Sequence, residues 1–448
     1  MANVATPIEV RQIGIAKESV TRGTAPAAPV NFLSATKDSN IDFATKLIKD
    51  PALRGVNAAY PSFPGIQEGK GPFKTPFRAQ NAGEFLNMAI GAPVSVEQNY
   101  ITIVTGTNDT LDLTDNVTIV AGVIAAGSYP MGSDNTVAGS FCKALKTALD
   151  AVATGGATYT VAFAAGVLTI TRSTATFKFL FGTGTNKAKS PYAAMGFAAA
   201  DSVAAITQAS TVTLYAPFKH TFTTGQITQL PSYAFYIDRG TFNAGAKDIK
   251  VYNLGSVQKL KLSGVAGAPV ELEASLLAQK EATYGGAWSP AFTGTSAESP
   301  VLMFNNVTVK VAGSASSVPN VKSWDMELDP GLIEFRPLSQ QQYAQDFLAA
   351  GPVVASGSMA VYFMDEVERA KFLAVSQTSL EISIVGSAVG SSGQFYTLDI
   401  LLPYVEYEAF PFGEEDKFLG AAVKFNVPYS AVSAFLAQVY LINSRSAY

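Results

Sequence analysis

The 448-residue chain has one cysteine, Cys142, and one histidine, His220. A lone cysteine excludes an internal disulfide framework, and the pair cannot complete the four-ligand shell of a structural zinc. Any Ser-His-Asp or Cys-His nucleophile would have to use His220, within the strand-like run Phe218-Lys219-His220-Thr221-Phe222. A ring packed at a strand start is the plainer role. Cys142, beside Phe141 in a helical stretch, reads as a small buried hydrophobe. Charge is scarce too, at 15% Asp, Glu, Lys and Arg against ~25% in an ordinary soluble domain. Part of the surface is therefore expected to be covered by copies or partners. A formal net charge of −4 leaves no basic footprint for gripping nucleic acid. The longest apolar run, Val117 to Ala126, is too short and too glycine-broken for a membrane span of ~20 residues. The opening MANVATPIEVRQ has no basic region followed by an apolar core, so no signal peptide is expected. No cofactor and no enzymatic activity are expected.

What is plentiful points to β structure: 37 Gly, 23 Pro and many Thr, Ser and Val residues, with 48% hydrophobic content for sizeable cores. The clearest stretch runs from Val251 to Ala282. Leu260 and Leu262 share one face and Lys259 and Lys261 the other. Across SGVAGAP, Val270, Leu272 and Ala274 oppose Glu271 and Glu273. Setting Leu260 opposite Leu272 brings Leu262 to Val270, Lys261 to Glu271 and Lys259 to Glu273, an antiparallel hairpin with an apolar side and an ion-paired side.

A helix is expected from Asn81 to Ile90, with Asn81 as N-cap, Glu84 in the capping box and Gly91 as the stop. Before it, Gly71 to Phe77 reads as a short, proline-broken edge strand. The order recurs: Gly351-Pro352-Val353 opens a strand through Met359, Val361 and Phe363. Asp365 and Glu368 then start a helix carrying Val367, Ala370 and Leu373, and long strands follow at Leu380–Val385, Tyr396–Phe410 and Phe418–Val427. Between the first helix and its following strands lies a foreign block, roughly Pro93 to Pro217. It holds strands at Ile101–Val104 and Val117–Val123 and a helix from about Thr136 to Val152 that buries Phe141, Ala144, Leu145, Ala148 and Leu149. A hairpin sets Tyr159, Val161 and Phe163 against Leu168 and Ile170, followed by a strand at Phe177–Gly182 and a short helix at Pro191–Phe197. Asn108, Asp109, Asp112, Asp115 and Asn116 lack the spacing and central glycine of a calcium loop. Gly182 to Lys187 lacks the Gly-Lys-Ser/Thr ending of a phosphate loop and reads as a hairpin turn, and Glu414-Glu415-Asp416, after Pro411-Phe412-Gly413, reads as a solvated turn.

The ordered set Gly14-Ile15-Ala16-Lys17-Glu18-Ser19, the Gly-Thr-Ala-Pro-Ala-Ala-Pro arm, Phe85 to Gly91, His220-Thr221-Phe222-Thr223, Leu230-Pro231-Ser232-Tyr233, the long hairpin and Leu401-Leu402-Pro403-Tyr404-Val405 resembles the tail tube (major tail) proteins of long-tailed phages, in the form with two tube domains per chain. The resemblance implies a mainly β (α+β) fold with two tandem tail-tube β-sandwich/barrel modules, each with one flanking helix. Residues 1–93 and 217–292 would form the first, 293–448 the second, and 94–216 an inserted α+β accessory domain. It further implies a structural virion protein of the tail, assembled in the host cytoplasm. Homotrimeric rings of pseudo-sixfold symmetry would stack into a tube, with the tape measure and tail terminator as partners and phage DNA passing through without specific binding. Lys259, Lys261, Glu271, Glu273, Glu406 and Glu408 are the candidate lumen-facing residues. Phe32, Leu33 and Tyr60, too apolar for their loop-like segments, are the candidate contacts between subunits or rings. The rival reading is a surface or secreted β-sandwich binding protein with the insert as ligand module.

Overall fold

A computed structural model describes residues 12–448 apart from 19–20, 34, 49–61, 99, 165, 213, 215–216, 226–228, 243–245, 289–299, 312–319, 339–340, 364–365, 376 and 390–393. Strand makes up 53% of it and helix 9%, the mainly β, sandwich-type fold expected, with no closed barrel among the described residues. The chain opens with β1 (Ile13–Lys17), β2 (Asn31–Leu33), β3 (Asp42–Ile48), β4 (Phe63–Pro76) and α1 (Ala79–Ile90). The helix starts two residues before Asn81, with Arg78 at the N-cap and no side-chain cap. Glu84 does not close a capping box. It accepts from Asn31 Nδ2 at 2.9 Å and pairs with Arg445 at 2.7 Å, because a carboxylate in this buried place needs a cation more than a free amide. Gly91 ends the helix at φ 111°, its N–H donating to the Asn87 carbonyl. All 12 residues are buried, and Phe85 stacks on Phe73 at 4.6 Å. The strand before it is longer than expected and is not an edge there. β4 runs 14 residues, and the carbonyls of its proline-bearing half accept from the Thr36 and Asn40 amides.

The stretch 94–209 contributes β5 (Val94–Glu97), β6 (Tyr100–Ile103), β7 (Thr110–Asp115), β8 (Thr118–Val123), β9 (Gly127–Pro130), α2 (Phe141–Asp150), β10 (Tyr159–Ala164), β11 (Val167–Arg172), β12 (Phe177–Phe179) and β13 (Thr207–Ala209). Its core is a separate hydrophobic cluster that includes Leu111, Phe141, Leu145, Leu149, Val161, Ile170 and Phe179. The β10–β11 register is the one expected, Val161 opposite Ile170 and Phe163 opposite Leu168. Two boundaries differ. α2 begins at Phe141, not Thr136, because Ser140 caps it by accepting from the Lys143 amide at 3.2 Å. Pro191–Phe197 is a turn whose Gly196 sits at φ 75°, not a helix.

The second stretch holds β14 (Phe218–Thr223), β15 (Tyr233–Phe242), β16 (Ala246–Val265), β17 (Glu271–Ala278) and β18 (Lys280–Thr283). After it come β19 (Val307–Val311), β20 (Val321–Asp329), β21 (Leu332–Phe335), β22 (Asp346–Ala349), β23 (Val354–Tyr362), α3 (Val367–Leu373), β24 (Thr378–Ala388), β25 (Phe395–Ala409), β26 (Phe412–Glu415), β27 (Phe418–Val427) and β28 (Gln438–Asn443). Asp365, the expected start of the last helix, lies outside the described residues. The long hairpin forms with its faces as expected but slipped by two residues: Leu260 faces Ala274, Leu262 faces Leu272 and Lys261 faces Glu273. β16 stays straight to Val265 because its far edge pairs with β20, which moves the turn onto residues 266–270 with Gly267 at φ 89°. A slip of two preserves the alternation, so each side chain keeps its face.

An inner sheet runs β3-β4-β17-β16-β20-β23-β27, with β25 and β26 beyond β27. Two outer sheets cover its apolar face, β2-β1-β15-β16-β18 and β19-β24-β25-β28-β14-β5, around one hydrophobic cluster. β16 and β25 each cross from an outer sheet to the inner one, and they do so alike. β16 carries a bulge between Val257 and Lys259, and β25 one between Tyr407 and Ala409. Opposite the first bulge, Gly71 faces Leu276; opposite the second, Gly357 faces Phe425. A Cβ would lie 1.9 Å from the Asn40 oxygen at Gly71 and 2.3 Å from the Asp325 oxygen at Gly357.

A buried ion pair ties β7 to β11. Asp115 and Arg172 are both buried and meet at 2.5 Å, with the Tyr159 hydroxyl donating to the same carboxylate at 2.5 Å. Burial pushes the Asp115 carboxyl up, but hydrogen bonds from Arg172, Thr154 and Tyr159 outweigh it and hold the group at about 2. An unfolded aspartate titrates near ~3.9, so this contribution is complete above that pH and is lost as pH falls toward 2. Asp115→Asn should cost the insert about 3–5 kcal/mol by stranding Arg172, and should flatten the acid limb. Calorimetric melts of wild type and variant between pH 2 and 6 would check both effects.

Candidate functional site

The polar face of the inner sheet collects the charged residues singled out in the sequence. One row across seven strands reads Lys74, Glu273, Lys261, Glu327, Ser356, Asn426, Glu406. The next reads Pro76, Glu271, Ser263, Asp325, Ser358, Lys424. Lysine and carboxylate alternate along the first four places, which is the attractive arrangement on a sheet surface. Lys259 donates to Glu327 at 2.6 Å and Lys74 pairs with Glu271 at 2.9 Å. Those hydrogen bonds raise both ammonium groups above the usual lysine range. Glu406 accepts from Gln377 at 2.7 Å, and Glu408 is the exposed extra residue of the β25 bulge. Glu271 and Glu273 were expected opposite Lys261 and Lys259. The slipped register gives Lys261 to Glu273 and leaves Glu271 to Lys74.

Sequence reasoning overlooked Lys74, Asp325, Glu327, Asp329 and Lys424 on this face, although Val321–Asp329 alternates as plainly as the long hairpin. With them the central strands of the face hold six acids (Glu271, Glu273, Asp325, Glu327, Asp329, Glu406) and four lysines (Lys74, Lys259, Lys261, Lys424), and Asp42, Glu68 and Lys70 continue it toward β3. The surplus is acidic and small.

The expected contact residues are placed differently. Phe32 and Leu33 are buried inside the chain, Phe32 edge-on to Trp288 at 5.2 Å and Leu33 in the main core. The premise that they need a neighbour to leave water therefore does not hold. Pairing of β2 with β1 carries them inward, which loop-like composition did not reveal. Tyr60 lies outside the described residues.

The other polar groups singled out in the sequence, among the described residues, are held in contacts within the chain. His220 is fully buried, with Ser95 Oγ 2.7 Å from Nδ1 and the Arg445 carbonyl 2.9 Å from Nε2. Burial lowers its pKa. A neutral ring donating from Nε2 and accepting at Nδ1 satisfies every contact, with no carboxylate to orient it as a base. Cys142 is buried and its thiol is pushed up to about 12 by burial. In the loop from Gly182, the Gly182 and Thr183 amides donate to Asp201 Oδ1, each at 2.9 Å, which fills any anion cradle. Asp109, Asp112 and Asp115 each serve separate hydrogen bonds, and no metal-holding cluster occurs among the described residues.

Residues 220–427 match the family model described as phage tail tube protein. The matched stretch runs from His220 in β14 to the last residue of β27, and so takes in both crossing strands and every inner-sheet strand except β3 and β4. No curated protein matches the chain.

Because the ion pairs of the polar face are open to water, they contribute little to folding. Replacing Glu271, Glu273 and Glu327 together by Gln should lower unfolding free energy by no more than about 1 kcal/mol. Urea titration would check this; a loss several times larger would mean the face is packed, not solvated.

Proposed function

We propose that this chain is a phage tail tube protein, that three copies close into a ring, each copy supplying two pseudo-equivalent modules, and that the rings stack into the tail tube that conducts the phage genome. The modules are residues 1–93 with 217–292, and 293–448, with 94–216 inserted as an accessory domain. The observation that carries this reading is the ladder between β16 and β20, Leu260 opposite Leu328 through Val265 opposite Ser323. It joins the last inner strand of one half to the first inner strand of the other. By the matched bulges and glycines, β25 with β26 corresponds to β16, and β3 to β20. Those two counterparts are the ends of the inner sheet. β3 has β4 as its ladder partner and is exposed along almost its whole length, and β26 has β27 and is likewise exposed.

Open edges invite pairing with another chain, and closure removes them. A ring in which β26 of one copy meets β3 of the next repeats the internal ladder at every join. The polar face, opposite the core, then lines the channel. Its mixed charges with a slight acidic surplus would let a polyanion pass without lodging. As a tail tube protein the chain would lie in the virion tail. The tape measure and tail terminator are the partners the resemblance brings with it.

Under this correspondence Ser263 opposite Asp325 becomes Gly413 opposite Asn40 of the next copy. A Cβ at Gly413 meets open space, and Asn40 is partly exposed, so both accept cysteine. Gly413→Cys with Asn40→Cys should give covalent trimers on oxidation, with neither single variant doing so; the native Cys142, buried, stays silent. Mass measurement and electron micrographs of the same sample would decide it, and crosslinked dimers or hexamers of whole chains would refute the trimer.

The insert enters on β5 and leaves on β14, which pair with each other from Phe218 opposite Glu97 to Thr221 opposite Val94. Its ends therefore lie side by side. Replacing residues 98–217 with a short Gly/Asn turn should leave that ladder intact and the protein able to form tubes in electron micrographs. A folded but non-polymerising deletion would make the insert an assembly element.

A further inference from the structure

The two flanking helices hold corresponding places in very different surroundings. Each follows the strand with the close-packed glycine, and their sequences align as Phe85-Leu86-Asn87-Met88 and Phe372-Leu373-Ala374-Val375. Leu86 and Met88 are 1% and 0% exposed, whereas Leu373 and Val375 are 63% and 75% exposed. Both helices touch the crossing strand of their own half, α1 on β16 and α3 on β25. The difference lies on the outward side. α1 is also covered by β28 and β25 of the other half and by β14, which joins them in the second outer sheet. Arg445 reaches Glu84, and the Tyr448 ring lies so close over Gly83 that a Cβ there would stand 2.1 Å from it.

We infer that α3 is an interface helix: in the assembled protein Leu373 and Val375 are covered by the outer sheet of a second copy of this chain, along its β16 and β18. The occupant follows from the correspondence of the strands. β18 pairs with β16 as β28 pairs with β25, Lys250 opposite Thr283 and Ile400 opposite Val439. The sheet that covers α1 within the chain therefore has one counterpart, and within a single chain that counterpart carries the helix of its own half, α1 on β16, without α3 beside it. Ring closure as proposed above brings the two together. Leaving two large aliphatic side chains in water is unfavourable by the transfer free energy of their surface, and only a neighbour removes that surface here. The inference rests on the ring reading but adds a contact the sheet edges do not require.

Thiol labelling separates the two. Leu373→Cys should react rapidly in the isolated chain, since the only native thiol is buried, and at least about tenfold more slowly in rings or tubes, as protected groups do. Rings that form yet label at the isolated-chain rate overturn the helix inference and leave the ring reading standing. Wild-type protein that never assembles overturns the ring reading and the inference with it. Should Leu373→Cys itself hinder closure, Ala374→Cys gives the same comparison. Leu373→Asp adds a second readout. The exposed site predicts an unchanged melting temperature with assembly lost, and normal tubes from this variant would overturn the inference.

Discussion

Everything in this chain leans on the antiparallel ladder that passes through β16. That strand pairs with β15 and β18 in its first part and with β17 and β20 in its second, so it belongs to an outer sheet and to the inner sheet at once. The bulge between Val257 and Lys259 lets it do so, by adding twist where the strand changes partners. Leu260 and Leu262 then point into the core and Lys259 and Lys261 away from it. Without the bulge the alternation would run unbroken, and one of the two sheets would present the wrong face.

A second constraint is the cost of burying α1 on every side. A helix with polar residues all round can be enclosed only if each finds a partner. Glu84 meets Asn31 and Arg445, and Asn87 Nδ2 donates to the Tyr233 hydroxyl at 2.8 Å. Lys17 Nζ donates to the Tyr448 main-chain oxygen at 2.8 Å, and the Arg445 guanidinium lies 4.3 Å from the Tyr448 ring centroid. Burial pushes Lys17 down and Tyr233 and Tyr448 up, while Arg445 ends above its usual range because Glu84, Tyr448 and Tyr233 together outweigh the desolvation that lowers it. Segments far apart in the chain thus close over one helix, and the final strand ties the outer sheet to β14.

How much was legible in the residues depended on the range of the interaction. The hairpin from Tyr159 to Ile170 and the faces of the long hairpin follow from alternation, a property of neighbouring residues, and both are as expected. The register of the long hairpin is not, because β20, some sixty residues on, decides where β16 ends. The start of α1 was misjudged for a similar reason. Asn81 and Glu84 have the spacing of a local cap, but the carboxylate answers to Arg445 from the far end of the chain. Phe32 and Leu33 looked unprotected only because the strand that shelters them cannot be seen in a run of three residues.

The sequence by itself determined that the protein is mainly β, that its lone cysteine can form no internal disulfide, and which side of each strand is apolar, since composition and period-two patterning decide these locally. Tertiary structure decided the rest. It set the row of alternating charges, the cover over α1 and the bare flank of α3, because each depends on which distant strand lies alongside. Backbone hydrogen bonds specify that a strand will pair but not with what. Only the packing of the whole sheet against its core selects the partner.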